Sequence, residues 1–207
     1  MKLYTCSTAP NPRRVAIFLA EKGLELPQVE VSIADGEHKK PEYRKIAPNA
    51  RLPALELDDG RVLLESPSIC CYIESLHPEP PLLGRDTTEA SFIDMWSRRI
   101  ELELMMPMAA AFRHTHPGMA QLERQVPEYG QISREAVEKR LKVLDRDLGE
   151  TQYVAGDSYS MADITLVCTL DFFSAVGKFD LKPHANILRW RSLVGDRPAI
   201  AASSRSR

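Results

Sequence analysis

The stretch His77-Pro78-Glu79-Pro80-Pro81-Leu82-Leu83-Gly84 limits what this chain can fold into more than any other. Each proline removes a backbone donor and fixes φ, so neither a helix nor a central strand can run through it. Proline density of this kind marks a semi-rigid linker and a domain boundary, here over residues 78–86. Strand and helix patterns alternate before it, and only helical periodicity follows it. The 207 residues suffice for two units, each with its own core. The expected domains are residues 1–77 and 87–207.

In the first half, Lys2-Leu3-Tyr4-Thr5-Cys6 has a strand pattern and Ser7 to Pro10 is a loop. Asn11-Pro12 resembles an N-cap followed by a first-turn proline, which predicts a helix over Pro12–Lys22 that stops at Gly23. Val15, Phe18, Leu19 and the Lys22 stem share one face of that helix. Gln28 to Ile33 alternates like a strand, Asp35-Gly36 turns, and a short helix is expected behind Pro41, within Lys40–Ile46.

From Ala50 to Ile69 two short strands flank Asp59-Gly60, a strong hairpin signal for a turn with positive φ at both residues. Ser66-Pro67 then predicts an N-cap and a helix over Pro67–Leu76. The order β-α-β-α-β-β-α implies a mixed four-stranded sheet: a parallel βαβ unit plus an antiparallel pair. Pro53 opens the third strand, forces Leu52 into extended geometry, and is a place for a cis bond. Leu52-Pro53 and Glu65-Ser66, at the two ends of the hairpin, are more than a plain hairpin needs. A small anionic ligand between them would account for both.

The second half is expected to be all helical. Thr88 to Arg113 is a long helical pattern with Phe92, Met95, Trp96, the Arg99 stem and Ile100 as its apolar face. Pro107 should kink it, and His114-Thr115-His116-Pro117-Gly118 ends it. A helix over Gln131–Leu148 presents Val137, Leu141, Leu144 and Leu148. Ser160 and Asp163 form an acidic capping box ahead of a helix that is apolar on nearly every side, which suits the centre of a bundle. Short helices around Ile187–Val194 and Pro198–Ala202 close the chain.

The net charge of −2 gives no general attraction to nucleic acid or membranes. There is no run of membrane-spanning length, and the strand pattern at the N-terminus leaves no room for a signal peptide. Four cysteines without metal-ligand spacing point to a reducing cytoplasm. Cys70 and Cys71 are expected to be small core residues rather than a redox pair, and no metal is expected.

An α/β unit of this order, a proline-rich linker and a helical second unit together resemble the cytosolic glutathione S-transferases, whose first domain is thioredoxin-like. Leu52-Pro53, Glu65-Ser66, Glu21-Lys22-Gly23-Leu24 and Gly156-Asp157 ahead of Ser160 and Asp163 carry the resemblance, which spans nearly the whole chain. Residues 36–42, 55–60, 112–118 and 153–157 are similar to an atypical fungal-type subgroup that lacks the usual catalytic tyrosine, serine or cysteine. The resemblance implies a homodimer with the third and fourth helices at its interface. It also implies two ligands, glutathione as co-substrate and a small apolar electrophile.

The resemblance implies that Glu65 meets the γ-glutamyl ammonium and Ser66 the neighbouring carboxylate, where a helix start favours an anion. Leu52 would pair through its backbone with the cysteinyl part of glutathione, with Pro53 cis. Lys40 and Arg51, and less so Lys39, are candidates for the glycyl carboxylate. Met105, Met106, Met108, Phe112 and His116 are candidates for the electrophile pocket, although methionines are also ordinary core fillers.

The family position that activates the sulfur falls on Ala9, which cannot donate. Something else must lower a thiol pKa of about 8.5. Amides near Asn11, Arg13 and Arg14 at the helix start are one source. Arg13 is read as a ligand contact, and Arg14 as facing solvent or an acid such as Glu21. The Asn11 amide side chain is a second source; Ser7 and Thr8 could reach the sulfur if the loop shifts. A water held by His114 or His116 is a third. Cys6 lies too early in the strand and is expected to be inert. The leading function is transfer of glutathione to electrophiles. A glutathione-dependent disulfide reductase or peroxidase, or a non-catalytic interaction module, are the alternatives.

Overall fold

The computed structural model describes residues 1–204. Its strands β1 (Lys2–Thr5), β2 (Gln28–Glu30), β3 (Ala54–Glu56) and β4 (Val62–Leu64) form one sheet in the order β2-β1-β3-β4. β1 and β2 are parallel and the other two pairs antiparallel, with Leu3 opposite both Gln28 and Leu55. The mixed four-stranded sheet is therefore the expected one. Side chains alternate across it. Tyr4 and Ala54 join Val31, Tyr43 and Ala47 in one core cluster, with Tyr43 supplied by α2 (Pro41–Arg44).

α1 (Pro10–Glu21) starts two residues before the expected Pro12. Ala9 is the N-cap, so Asn11 sits inside the first turn instead of capping it. The fixed φ of Pro10 is already helical, which lets the helix begin there. Gly23, at φ +64°, closes α1 by donating to the Ala20 carbonyl, while Leu24 donates to Leu19.

The hairpin turn is wider than Asp-Gly alone suggests. Gly60 donates to the Leu57 carbonyl at 3.0 Å, Leu57 donates to Arg61 at 2.8 Å, and of Asp59 and Gly60 only the glycine has positive φ. This is a three-residue loop in which left-handed Gly60 follows a turn. α3 (Ser66–Leu76) also begins earlier than expected: its N-cap is Glu65, not Ser66, and no side chain caps it. Cys70 is buried on this helix, but Cys71 is exposed, because neighbouring helical residues point about 100° apart.

One compact unit comprises Met1–Leu82 and the segment from Arg197 onward; Leu83–Asp196 forms the second. Compactness thus assigns the C-terminal helix α9 (Pro198–Ser204) to the first unit, on α1. Arg197 grips Glu21 with Nε–Oε1 2.8 Å and Nη2–Oε2 2.6 Å, a bidentate pair. The buried Lys22 ammonium ties down the start of the linker, at 2.7 Å from the His77 carbonyl, 2.6 Å from Pro80 and 2.5 Å from Glu74 Oε2.

In the second unit α4 (Thr87–Ile100) passes through a π-helical turn (Glu101–Met105) into α5 (Met106–Thr115). The π turn stands just ahead of Pro107, whose missing donor interrupts the α-helical ladder. The buried stripe is Ile93, Ser97, Ile100, Leu104 and Met108; Phe92 and Met95, expected in the core face, are 52% and 39% exposed. α6 (Pro127–Asp147), α7 (Met161–Gly177) and α8 (Ala185–Gly195) complete the unit. α7 is buried along most of its length, as its composition requires.

The expected capping box is present at the start of α7. The fully buried Asp163 accepts through Oδ2 from the Ser160 amide (3.0 Å) and hydroxyl (3.3 Å). Its Oδ1 accepts from the Val154 amide (3.0 Å) and Trp190 Nε1 (2.8 Å). Asn cannot accept on both sides, so Asp163→Asn should cost about 2–4 kcal/mol in denaturant unfolding. Burial, opposed by these donors, pushes the Asp163 carboxyl up to about 6 from its ordinary 3.8. The folded state then holds a proton that the unfolded chain has lost. The stabilising contribution is complete below about pH 4 and falls away by up to about 3 kcal/mol as pH rises to about 6. The stability gap between the wild type and Asp163→Asn should narrow over that window.

Candidate functional site

The start of α3 combines several unusual features. Glu65 has φ +66° and ψ 119°, a conformation that costs a non-glycine residue about 1–3 kcal/mol. Its side chain is exposed and makes no cap, while the next residue, Ser66, is buried. Pro67 follows in the first turn. The Ser66 hydroxyl accepts from Arg14 Nη1 at 3.2 Å, and Arg14 is itself 1% exposed. Arg14 therefore faces neither solvent nor Glu21, whose carboxylate belongs to Arg197.

At the mouth of β3 the Leu52-Pro53 bond is cis. Just before it, the Arg51 carbonyl accepts from the Tyr43 hydroxyl at 2.6 Å. Burial, helped by Tyr4, pushes the Tyr43 hydroxyl up to about 12, so it remains a neutral donor at ordinary pH. Arg51 and Lys40 are both exposed. Lys40 borders a cavity of about 440 Å³ over the sheet, lined also by Tyr4, Val31, Tyr43 and Ile46.

The loop before α1 uses much of its polarity internally. The Ser7 amide and hydroxyl both donate to Glu30 Oε1, at 2.8 and 3.1 Å. Thr8 Oγ1 lies 3.3 Å from Sγ of the buried Cys6. Pro10 and Pro12 have no amide hydrogen, and the Arg13 amide donates to the Ala9 carbonyl at 3.2 Å. The first turn of α1 therefore presents the amide of Asn11, not the three expected. The Arg13 side chain is buried, and its Nε donates to Ser203 of α9 at 3.1 Å. This contact commits the Arg13 Nε to α9.

In the second unit, His114 Nδ1 accepts from the Val126 amide at 3.1 Å, with its ring against Tyr129. His116 Nδ1 accepts from Gly118 at 3.1 Å, with its ring against Phe112. Both histidines hold the chain after α5. Met108 is fully buried and cannot line an open pocket, whereas Met105 and Phe112 are half-buried. A cavity of about 450 Å³ between α5 and α6 is lined by Met106, Ala110, Arg113, His114, Tyr129 and Ser133, among others; of the residues expected at an electrophile pocket it takes in Met106, but not Met105, Met108, Phe112 or His116.

Among the described residues no three His, Cys, Asp or Glu side chains are grouped to hold a metal ion. Among those same described residues no helix is long and apolar enough to cross a membrane. The first unit instead offers an uncapped helix start, an exposed carboxylate, a buried hydroxyl and exposed cations. That set suits a small zwitterion with more than one carboxylate. Sequence reasoning missed Arg14 and Tyr43. The signal for Arg14 was the apolar residues on several sides of its helix; Tyr43, a lone aromatic between charged residues, gave a weaker one.

Residues 3–81 match the family model for the glutathione S-transferase N-terminal domain, and residues 101–198 that for the C-terminal domain. The chain is 37% identical over 205 residues to glutathione S-transferase 2 of Saccharomyces cerevisiae, covering 97% of this chain and 88% of the relative. The crystal structure of Gtt2 from the same yeast superposes with a TM-score of 0.90 at 35% identity, over 98% of this chain and 100% of that one. A Gtt2-class glutathione S-transferase of Vibrio parahaemolyticus superposes at 0.87 with 31% identity, over 100% and 98% of the two chains. The chain belongs to the glutathione S-transferase family, and its similarity runs to fungal-type members.

Proposed function

We propose that this protein is a glutathione transferase that joins the glutathione thiolate to small apolar electrophiles. The start of α3 carries the reading: an exposed Glu65 in a strained backbone conformation precedes a buried Ser66 and leaves the helix without a side-chain cap. Glu65 takes the γ-glutamyl ammonium and Ser66 the adjacent carboxylate. Leu52, ahead of cis Pro53, pairs with the cysteinyl backbone as an added strand. Lys40 and Arg51 take the glycyl carboxylate.

With Ala9 unable to donate, the sulfur meets the Asn11 side chain and the one amide that the first turn presents. Ser7 and Thr8 are weaker candidates because their hydroxyls already contact Glu30 and Cys6. A cytoplasmic location belongs to the same reading, supported by four free cysteines, and a detoxifying role goes with the conjugation of electrophiles. So does a homodimer, supported by large apolar side chains exposed on α3 (Leu76) and on α4 (Phe92, Met95).

Calorimetry should show glutathione binding that Ser66→Ala or Glu65→Ala weakens about 10- to 100-fold, the range for a hydrogen bond to a charged group. Absence of binding by the wild type would favour an interaction module. A chlorinated nitroaromatic should be turned over faster than hydroxyethyl disulfide; the reverse would favour a disulfide reductase.

Asn11→Ala should lower kcat near pH 7 about tenfold and move the rising limb of the pH–rate profile upward, with glutathione affinity within about twofold of wild type. An unchanged profile would remove Asn11 from the sulfur site.

In sedimentation the wild type should run as a dimer, and the double variant Phe92→Glu, Met95→Glu as a folded monomer. Charge on those exposed positions opposes association without touching the core.

A further inference from the structure

A buried cation lies against the Ser66 hydroxyl at the start of α3. Arg14 is 1% exposed, yet its Nη1 lies 3.2 Å from the Ser66 hydroxyl oxygen. We propose that Arg14 is a positioning residue that makes Ser66 a directed donor to a carboxylate. The inference rests on the glutathione reading above and deepens it, because it says how that site recognises the γ-glutamyl carboxylate.

A guanidinium has five donors and no acceptor, so in this contact Ser66 must accept. A serine hydroxyl has a single proton. With Arg14 on one lone pair, that proton is directed away from the guanidinium, and a ligand carboxylate at the helix start would accept it. Ser66 is the first residue of α3 and does not cap it, so the hydroxyl is not spent on the helix's own amides.

Glu65 sharpens the selection. Its exposed carboxylate precedes the same hydroxyl, so the site presents an acceptor for a cation next to a donor for an anion. An α-amino acid head group offers that pair of charges on one carbon. Recognition of the head group thus depends on a buried residue that acts through Ser66.

The test compares two ligands by calorimetry: glutathione, and the analogue in which hydrogen replaces the γ-glutamyl α-carboxylate. The wild type should prefer glutathione by about tenfold or more. Arg14→Met should weaken glutathione about tenfold while changing the analogue less than about twofold, and Ser66→Ala should do the same. The double variant should be no worse than Ser66→Ala, since both changes remove one interaction. Arg14→Lys, which keeps a charge and a donor, should recover part of the preference. It stands in for Arg14→Met if that variant does not fold, and must then lose preference for glutathione relative to the wild type.

Equal weakening of both ligands would mean a merely structural role and overturn the proposal, as would additive losses in the double variant. A wild type that binds neither ligand would overturn the glutathione reading itself. One that binds both equally tightly would leave that reading standing and reject carboxylate recognition through Arg14 and Ser66.

Discussion

Three cations are buried along one helix of the first unit: Arg13, Arg14 and Lys22 of α1 and its C-cap. Taking such groups out of water costs several kcal/mol each unless polar partners follow them in. Each cation therefore dictates what packs beside it. Arg13 meets Ser203 of α9, Arg14 meets Ser66 at the start of α3, and Lys22 meets Glu74, His77 and Pro80 at the end of α3 and the linker. Glu74 in turn accepts from the Leu82 amide with its other oxygen. The helix that leads to the candidate sulfur site is thus anchored at both ends, and its two anchors reach the two ends of α3. Hydrophobic contact alone would permit α1 to slide or rotate; partnered cations set its register.

Those same cations mark where the sequence stops being readable. The linker, the mixed sheet and the helical second half are legible because proline and hydrophobic period act locally. Arg14 is not, because a charged residue is ordinarily outside and only a tertiary partner makes burial tolerable. The apolar face of α4 is misread for a related reason. Residue type points to Phe92 and Met95, yet the buried stripe runs through Ile93 and a serine, Ser97. Helix starts move by one or two residues because Asn and Ser are treated as caps; at α1 the fixed φ of Pro10 is already helical, so the turn begins earlier. Leu52-Pro53 and the Ser160–Asp163 box stand where their motifs predict. His114 and His116 each accept a backbone amide through Nδ1, a tertiary role that their residue type alone does not announce.

Two helix starts in this chain use similar residues to opposite ends. At α7, Ser160 and Asp163 satisfy the first amides, and Asp163 also ties in Val154 and Trp190. Little polarity is left over, and the motif serves stability. At α3 the order is inverted: the acid comes first, in a left-handed backbone conformation, and the serine second, inside the helix. Neither side chain caps. The backbone cost at Glu65 is borne with no compensating cap, which is the pattern expected where geometry serves a ligand.

The start of α1 carries the same reasoning to the chemistry. With alanine at its N-cap and prolines at positions 10 and 12, the first turn has few donors of its own. A side-chain hydroxyl at position 9 would give a thiolate one strong, directed hydrogen bond. In its place the proposed site has one backbone amide and one carboxamide, both from Asn11. A helix end contributes about 0.3–1 kcal/mol to an adjacent anion, rising toward about 2 when partly buried. That corresponds to roughly one pKa unit, against a free thiol near 8.5. Such a site holds a sizeable fraction of its thiol protonated near neutral pH, so proton removal must accompany or precede attack. The rate should then climb with pH through the range just above neutrality, while binding, which depends on the α3 start, stays level.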